Sequence, residues 1–146
     1  MIRDLKTLSK GVSVIGDEPT DLFSNIYSTG AMGDASEQSI IIDTNEGLIV
    51  ISGCAHSGIE AITKRAKATF DKKILLLLGG FHLFNKDEAN IIEVVNYIKA
   101  LGTKYVCPSH CTGEKAKNIF KQKFGEHYID GGAGVNIAFD QKGEIV

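Results

Sequence analysis

Between Leu48 and Phe124 the apolar residues change period again and again, and this constrains the fold more than any other property of the chain. Leu48-Ile49-Val50-Ile51-Ser52 is a β-branched run of strand length. Ser57 to Phe70 then carries Ile59, Ile62, Ala66 and Phe70 at helical spacing, with Lys and Arg between them. Ile74-Leu75-Leu76-Leu77-Leu78 is closed by Gly79-Gly80, and its shortness and flanking glycines predict a strand buried on both faces. Asp87 to Leu101 returns to the helical period and stops at Gly102. Lys104-Tyr105-Val106-Cys107 is a short strand ended by Pro108, and Thr112 to Phe124 is a helix striped by Ala116, Ile119, Phe120 and Phe124. Strands alternating with helices predict an α/β fold in which at least some strands run parallel, with helices packed on the sheet.

The first third is β-rich. Gly11 to Gly16 alternates and reads as a strand, and Asn25 to Gly30 is a weaker candidate. Ser39 to Asp43 joins Leu48 to Ser52 through Thr44-Asn45-Glu46-Gly47, a turn composition, so the two runs form a hairpin. Tyr128 to Asp130 and Val135 to Phe139 read as closing strands around the glycine-rich turn at 131–134. We find no linker and no low-complexity tract, so residues 1–146 are expected to form one domain. At 43% apolar residues the chain can bury a sizeable core.

Charge removes several function classes. Lys plus Arg is 16 and Asp plus Glu is 18, a net charge of −2, which supplies no strongly basic surface for nucleic acid. No apolar run is long enough for a membrane span, and the mixed charges of Met1 to Lys6 do not read as a secretory signal. Three cysteines without framework spacing fit a reduced, cytoplasmic protein.

Chemistry enters through the histidines. His56 follows Leu48–Ser52, His82 follows Ile74–Leu78, and His110 follows Lys104–Cys107, each just before a predicted helix and about one strand–helix unit from the next. If the three strands are parallel, all three imidazoles emerge at the carboxyl edge of one sheet, where open α/β sheets build their sites. Neutral imidazole is a good ligand for Zn, Fe or Mn, and strand ends hold ligands rigidly. His127, beside Tyr128, is expected to play an ordinary structural role. Cys54, Cys107 and Cys111 crowd the same turns and read as small buried apolar groups, as thiolate ligands or as reactive thiols at a helix N-terminus.

Several of these segments together resemble the metallo-β-lactamase superfamily: Ser28-Thr29-Gly30-Ala31-Met32-Gly33, Glu37-Gln38-Ser39, Gly53-Cys54-Ala55-His56, Gly79-Gly80-Phe81-His82-Leu83 and His110-Cys111-Thr112-Gly113. The branch resembled includes the dihydropterin–ribofuranosylaminobenzene phosphate synthases. The resemblance implies an αββα sandwich with a metal site at one edge and a metal-activated water as nucleophile. It implies metal-ligand roles for His56 and His110, while His82 falls near the place of an acidic bridging ligand. Only the C-terminal half of the superfamily is matched, because the His-x-His-x-Asp-His signature does not occur in this sequence.

The expectation is therefore half of an αββα sandwich, a mixed sheet with helices on one face. It would be a metal-binding, hydrolase-like or transferase-like protein acting on a small molecule, truncated and incomplete alone. The alternative is a non-catalytic subunit that pairs with a second chain to complete the fold. In either case Ile40–Ile42 and Ile74–Leu78 would lack apolar cover on one sheet face, which predicts a homodimer or a separate N-terminal half as partner.

Overall fold

The computed structural model describes residues 13–146. Six strands form one sheet whose spatial order equals their order in the chain. They are β1 (Thr20–Phe23), β2 (Ile26–Ser28), β3 (Ile40–Thr44), β4 (Gly47–Ser52), β5 (Ile74–Gly79) and β6 (Tyr105–Pro108). β1 to β4 pair antiparallel, and β4, β5 and β6 pair parallel. The parallel connections carry the helices α1 (Ile59–Phe70) and α2 (Glu88–Ala100). A 3₁₀ turn at His110–Thr112 leads into α3 (Glu114–Phe124). The sheet is mixed and the class α/β, as the change of period predicts.

All three helices cover one face of the sheet. There Ile41, Leu48, Val50, Ile74, Leu77 and Val106 meet the apolar stripes of the helices, including Ile59, Ile62, Ile91, Val95, Ile98 and Phe120. Asp87 caps α2, its carboxylate accepting the Asn90 N–H at 2.8 Å, so that helix starts one residue after the aspartate. The leucine run of β5 is buried from Ile74 through Leu77, which bears out the reading of a strand covered on both faces.

The second face is where sequence expectation and structure part. Register places Ile26, Ile40, Ile42, Ile49, Ile51, Leu76, Leu78, Tyr105 and Cys107 on it. The end formed by β5 and β6 is not bare, as it was expected to be: Ile129, Ile137 and Phe139 fold across Leu75, Leu76, Tyr105 and Cys107. Glu144 clamps this segment, accepting from Lys104 Nζ at 2.6 Å and from Tyr105 Oη at 2.8 Å. Gly131 allows the closest approach, since a Cβ there would lie 2.1 Å from Cys107 Sγ. The rest of that face, Ile26, Ile40, Ile42 and Ile51, stays half-buried.

The predicted closing strands do not form. Tyr128 makes one parallel bridge to Val106, and Phe139 one antiparallel bridge to Ile145. The segment pairs with β6 only at Tyr128 and Ile129, whose N–H donates to the Val106 carbonyl at 2.8 Å, and then turns across the sheet face, where its backbone leaves the ladder. The predicted strand at Gly11–Gly16 begins outside the described residues, and residues 13–16 are not strand. β1 was not foreseen because Thr20-Asp21-Leu22-Phe23 is an edge strand with little burial and no apolar alternation. No helix among the described residues is long and apolar enough to cross a membrane.

Candidate metal centre

β4, β5 and β6 run parallel, so the turns after them meet at one sheet edge. Gly79 sits there with φ of +120°, and a Cβ would lie 2.0 Å from the Ser52 carbonyl oxygen. Gly80 is equally constrained, because a Cβ would come within 2.5 Å of Cys111 Sγ, 2.6 Å of the Gly53 oxygen and 2.7 Å of His110 Cε1. The two glycines let the three turns close on one another.

The structure brings His56 and His82 together, with ring centroids 4.5 Å apart. His56 is held from behind by Glu37, whose Oε1 lies 3.4 Å from Nδ1. The same carboxylate accepts the backbone N–H groups of Cys54 at 3.1 Å and Ala55 at 2.9 Å, with Ser57 N at 3.5 Å from Oε2. Ala55 has φ of +59°, which turns these amides toward one point and makes a small anion-binding concavity filled by the protein's own side chain. Burial pushes the Glu37 carboxyl up, but the backbone N–H groups and nearby His56 outweigh it and hold the group below its ordinary value of 4.5. Glu37 stands in one of the quoted motifs, yet sequence reasoning gave it no role. No local spacing joins it to a turn 17 residues away, although the unpaired amides of a Gly-Cys-Ala-His turn were a signal that some acceptor was needed.

His82 has φ of +49°, a conformation costing about 1–3 kcal/mol for a non-glycine residue. The Phe81 N–H, donating to Thr112 Oγ1 at 3.2 Å, helps fix it there. Its Nδ1 is buried with no hydrogen-bond partner among the described residues. His56 and His82 line a cavity of about 300 Å³ together with Glu60, Lys86, Asn90 and Glu93.

His110 stands on the other side of the edge. Its Nδ1 is 3.1 Å from Ser109 Oγ and its Nε2 3.2 Å from Cys54 Sγ. It lines a second cavity, of about 450 Å³, with Ser109, Lys117 and Gly131. Among the described residues, Cys54, His110 and Cys111 are a group whose ligand atoms all lie within 4.8 Å of one another. Burial pushes the Cys54 thiol up, and Cys111 and Glu37 add to the effect. Cys107 lies apart, buried beneath Gly131, with its thiol also pushed up by burial and then by Asp130. His127 meets Tyr105 edge-on with ring centroids 5.1 Å apart.

A mixed sheet carrying three helices on one face and a nitrogen- and sulfur-rich edge defines a metallo-β-lactamase-like fold, and comparison with solved structures agrees. A metal-dependent hydrolase of the beta-lactamase superfamily superposes with a TM-score of 0.80 at 29% identity, over 92% of this chain and 61% of that one. Among characterised sequences, the chain is 39% identical over 104 residues to the 7,8-dihydropterin-6-methyl-4-(beta-D-ribofuranosyl)-aminobenzene-5'-phosphate synthase of Methanocaldococcus jannaschii. That match covers 70% of this chain and 35% of the synthase. An uncharacterised protein of the same organism is 38% identical over 74 residues, covering 51% of this chain and 28% of that protein. No protein-family model matches the chain. The resemblance carried by the motifs thus holds in both fold and sequence, and the chain spans about a third of the length of the curated relatives it matches.

Proposed function

We propose that this chain carries one part of a metallo-β-lactamase-type metal centre, with His56, His110 and His82 as its ligands. The supporting observation is that three parallel strands deliver these three histidines to one edge. The side chains suit the role. Glu37 Oε1 lies 3.4 Å from His56 Nδ1, so the carboxylate stands on the Nδ1 side of the ring and Nε2 is the nitrogen left for an ion. Ser109 engages His110 Nδ1, and His82 offers a buried nitrogen with no hydrogen-bond partner among the described residues. Imidazole donors favour a divalent transition metal, Zn first and Fe or Mn as alternatives.

When bound, such an ion supplies Lewis acidity and an activated water for hydrolysis or group transfer on a small molecule. The protein's share is to fix the imidazoles and to shape the cavity beside His56 and His82. Elemental analysis of the purified chain tests this. About one equivalent of metal is expected, falling in His56→Ala and His110→Ala; less than about half an equivalent, unchanged by either variant, overturns the reading.

The His-x-His-x-Asp-His signature does not occur in this sequence and the chain spans about a third of the length of its curated relatives, which supports a working centre completed by a further segment. The half-buried stripe of Ile26, Ile40, Ile42 and Ile51 supports a partner that packs on the second face, either another copy of the chain or a separate N-terminal half. Size-exclusion chromatography with light scattering is expected to show a dimer or a complex. A strictly monomeric species that remains soluble at high concentration overturns the packing proposal.

A further inference from the structure

The sulfur atoms at this edge have no part in the histidine centre, and their arrangement has a use of its own. We propose that Cys54, His110 and Cys111 form a sulfur-bearing site for a thiophilic d¹⁰ cation of the Zn²⁺ or Cd²⁺ type. The site goes beyond the histidine reading and competes with it for one atom, His110 Nε2, so the two centres are alternatives for that nitrogen.

Geometry is the first argument. Zinc binds thiolate at about 2.3 Å and imidazole at about 2.0–2.1 Å, so tetrahedral ligand atoms stand roughly 3.5–3.8 Å apart. The three donor atoms here all lie within 4.8 Å of one another, with His110 Nε2 3.2 Å from Cys54 Sγ. Each donor therefore needs only a small movement to close on one ion.

The second argument is that the fold holds the donors in place. His110 Nδ1 lies 3.1 Å from Ser109 Oγ and Nε2 3.2 Å from Cys54 Sγ, and the tautomer protonated at Nδ1 is the one that offers the Nε2 lone pair to an ion beside Cys54. In the free thiol Cys111 Sγ donates to the Cys54 carbonyl oxygen at 3.4 Å, which places it beside the Cys54 turn until an ion displaces the proton. Gly80 underlies both residues, and any side chain there would strike Cys111 Sγ and His110 Cε1. Cys54 and Cys111 are both free thiols, half-buried, while His110 is exposed, which gives an ion a way in from solvent.

The third argument is chemical. Two sulfurs and one nitrogen make a soft donor set that selects Zn²⁺ and Cd²⁺ over Mg²⁺ or Mn²⁺. Binding displaces the two thiol protons to solvent, and the ion's charge offsets that of the two thiolates and of Glu37 nearby. Three protein ligands leave a fourth position open.

The test uses the reduced full chain and Cd²⁺ itself. In the wild type, one equivalent of Cd²⁺ is expected to slow the reaction of Cys54 and Cys111 with an aromatic disulfide reagent by about tenfold or more. Cys107 serves as an internal control, being buried and outside the proposed site. Co²⁺ is expected to give a thiolate-to-metal charge-transfer band that is lost in Cys54→Ser and Cys111→Ser and kept in His56→Ala and His82→Ala. Unprotected thiols in the wild type overturn the proposal without relying on any variant's folding. So does a band indifferent to both serine variants. The histidine reading fails separately, if His56→Ala leaves metal content unchanged while the sulfur band persists.

Discussion

Replacing Glu37 with alanine removes the acceptor that gathers the turn delivering His56, and the cost can be worked from the hydrogen bonds. Oε1 accepts from Cys54 and Ala55 at 3.1 and 2.9 Å, and Ser57 contributes a longer contact. Hydrogen bonds to a charged group contribute about 1.5–3 kcal/mol each. Two such bonds set a span of about 3–6 kcal/mol, and the low end applies because Gly53 is exposed and water can reach part of the turn. A loss of about 3 kcal/mol lowers Tm by roughly 6–12 °C in a chain of this size. Glu37→Gln keeps a carbonyl acceptor but loses the charge, so about half that loss is expected.

Acid offers a second reading of the same carboxylate. Its pKa is lowered on folding, so its contribution is present above the ordinary value of 4.5 and fades as pH falls through the folded-state value. The stability gap between wild type and Glu37→Gln should therefore narrow below that pH. Chemical denaturation at pH 7 and at acid pH measures both quantities. A Glu37→Ala variant melting within about 2 °C of wild type refutes the argument that this carboxylate holds the turn.

Three further outcomes are expected. Gly80→Ala forces a Cβ against backbone at Gly53 as well as against His110 and Cys111, so it should cost about 1–3 kcal/mol and weaken metal retention, read by melting and elemental analysis. Phe120→Ala empties a fully buried site packed edge-on against Phe81 at 5.3 Å, and a loss of about 3–5 kcal/mol is expected in urea titration. Glu144→Gln weakens the clamp on the C-terminal segment, so amides of residues 137–146 should exchange faster with deuterium, and acidification should do the same to the wild type because hydrogen bonds from Lys104 and Tyr105 hold the Glu144 carboxyl below its ordinary value.

The parts of this protein legible in sequence are those set by short-range periodicity. The hairpin of β3 and β4, the buried β5 and the three helices follow from alternation, from apolar runs bounded by glycine and from the 3.6-residue stripe. Parallel strands followed by histidines put His56, His82 and His110 at a common edge for the same reason. β1 and the crossing segment after Tyr128 were illegible because their places depend on distant neighbours: an edge strand needs no apolar face, and Ile129, Ile137 and Phe139 are drawn onto the sheet by burial, not by pairing.

The finer arrangement of the site belongs to tertiary structure alone. Sequence order cannot say that His56 faces His82 while His110 turns to Cys54, because rotamers and turn geometry decide it across 56 residues of chain. Nor can it say that Glu37 anchors the first of these turns, or that Gly80 is a glycine because two side chains lie against it. Local pattern fixes which elements form and which edge carries the donors. Which donors meet is settled by contacts made only once the sheet has closed, since a buried amide or imidazole must find its partner wherever the packed chain puts one.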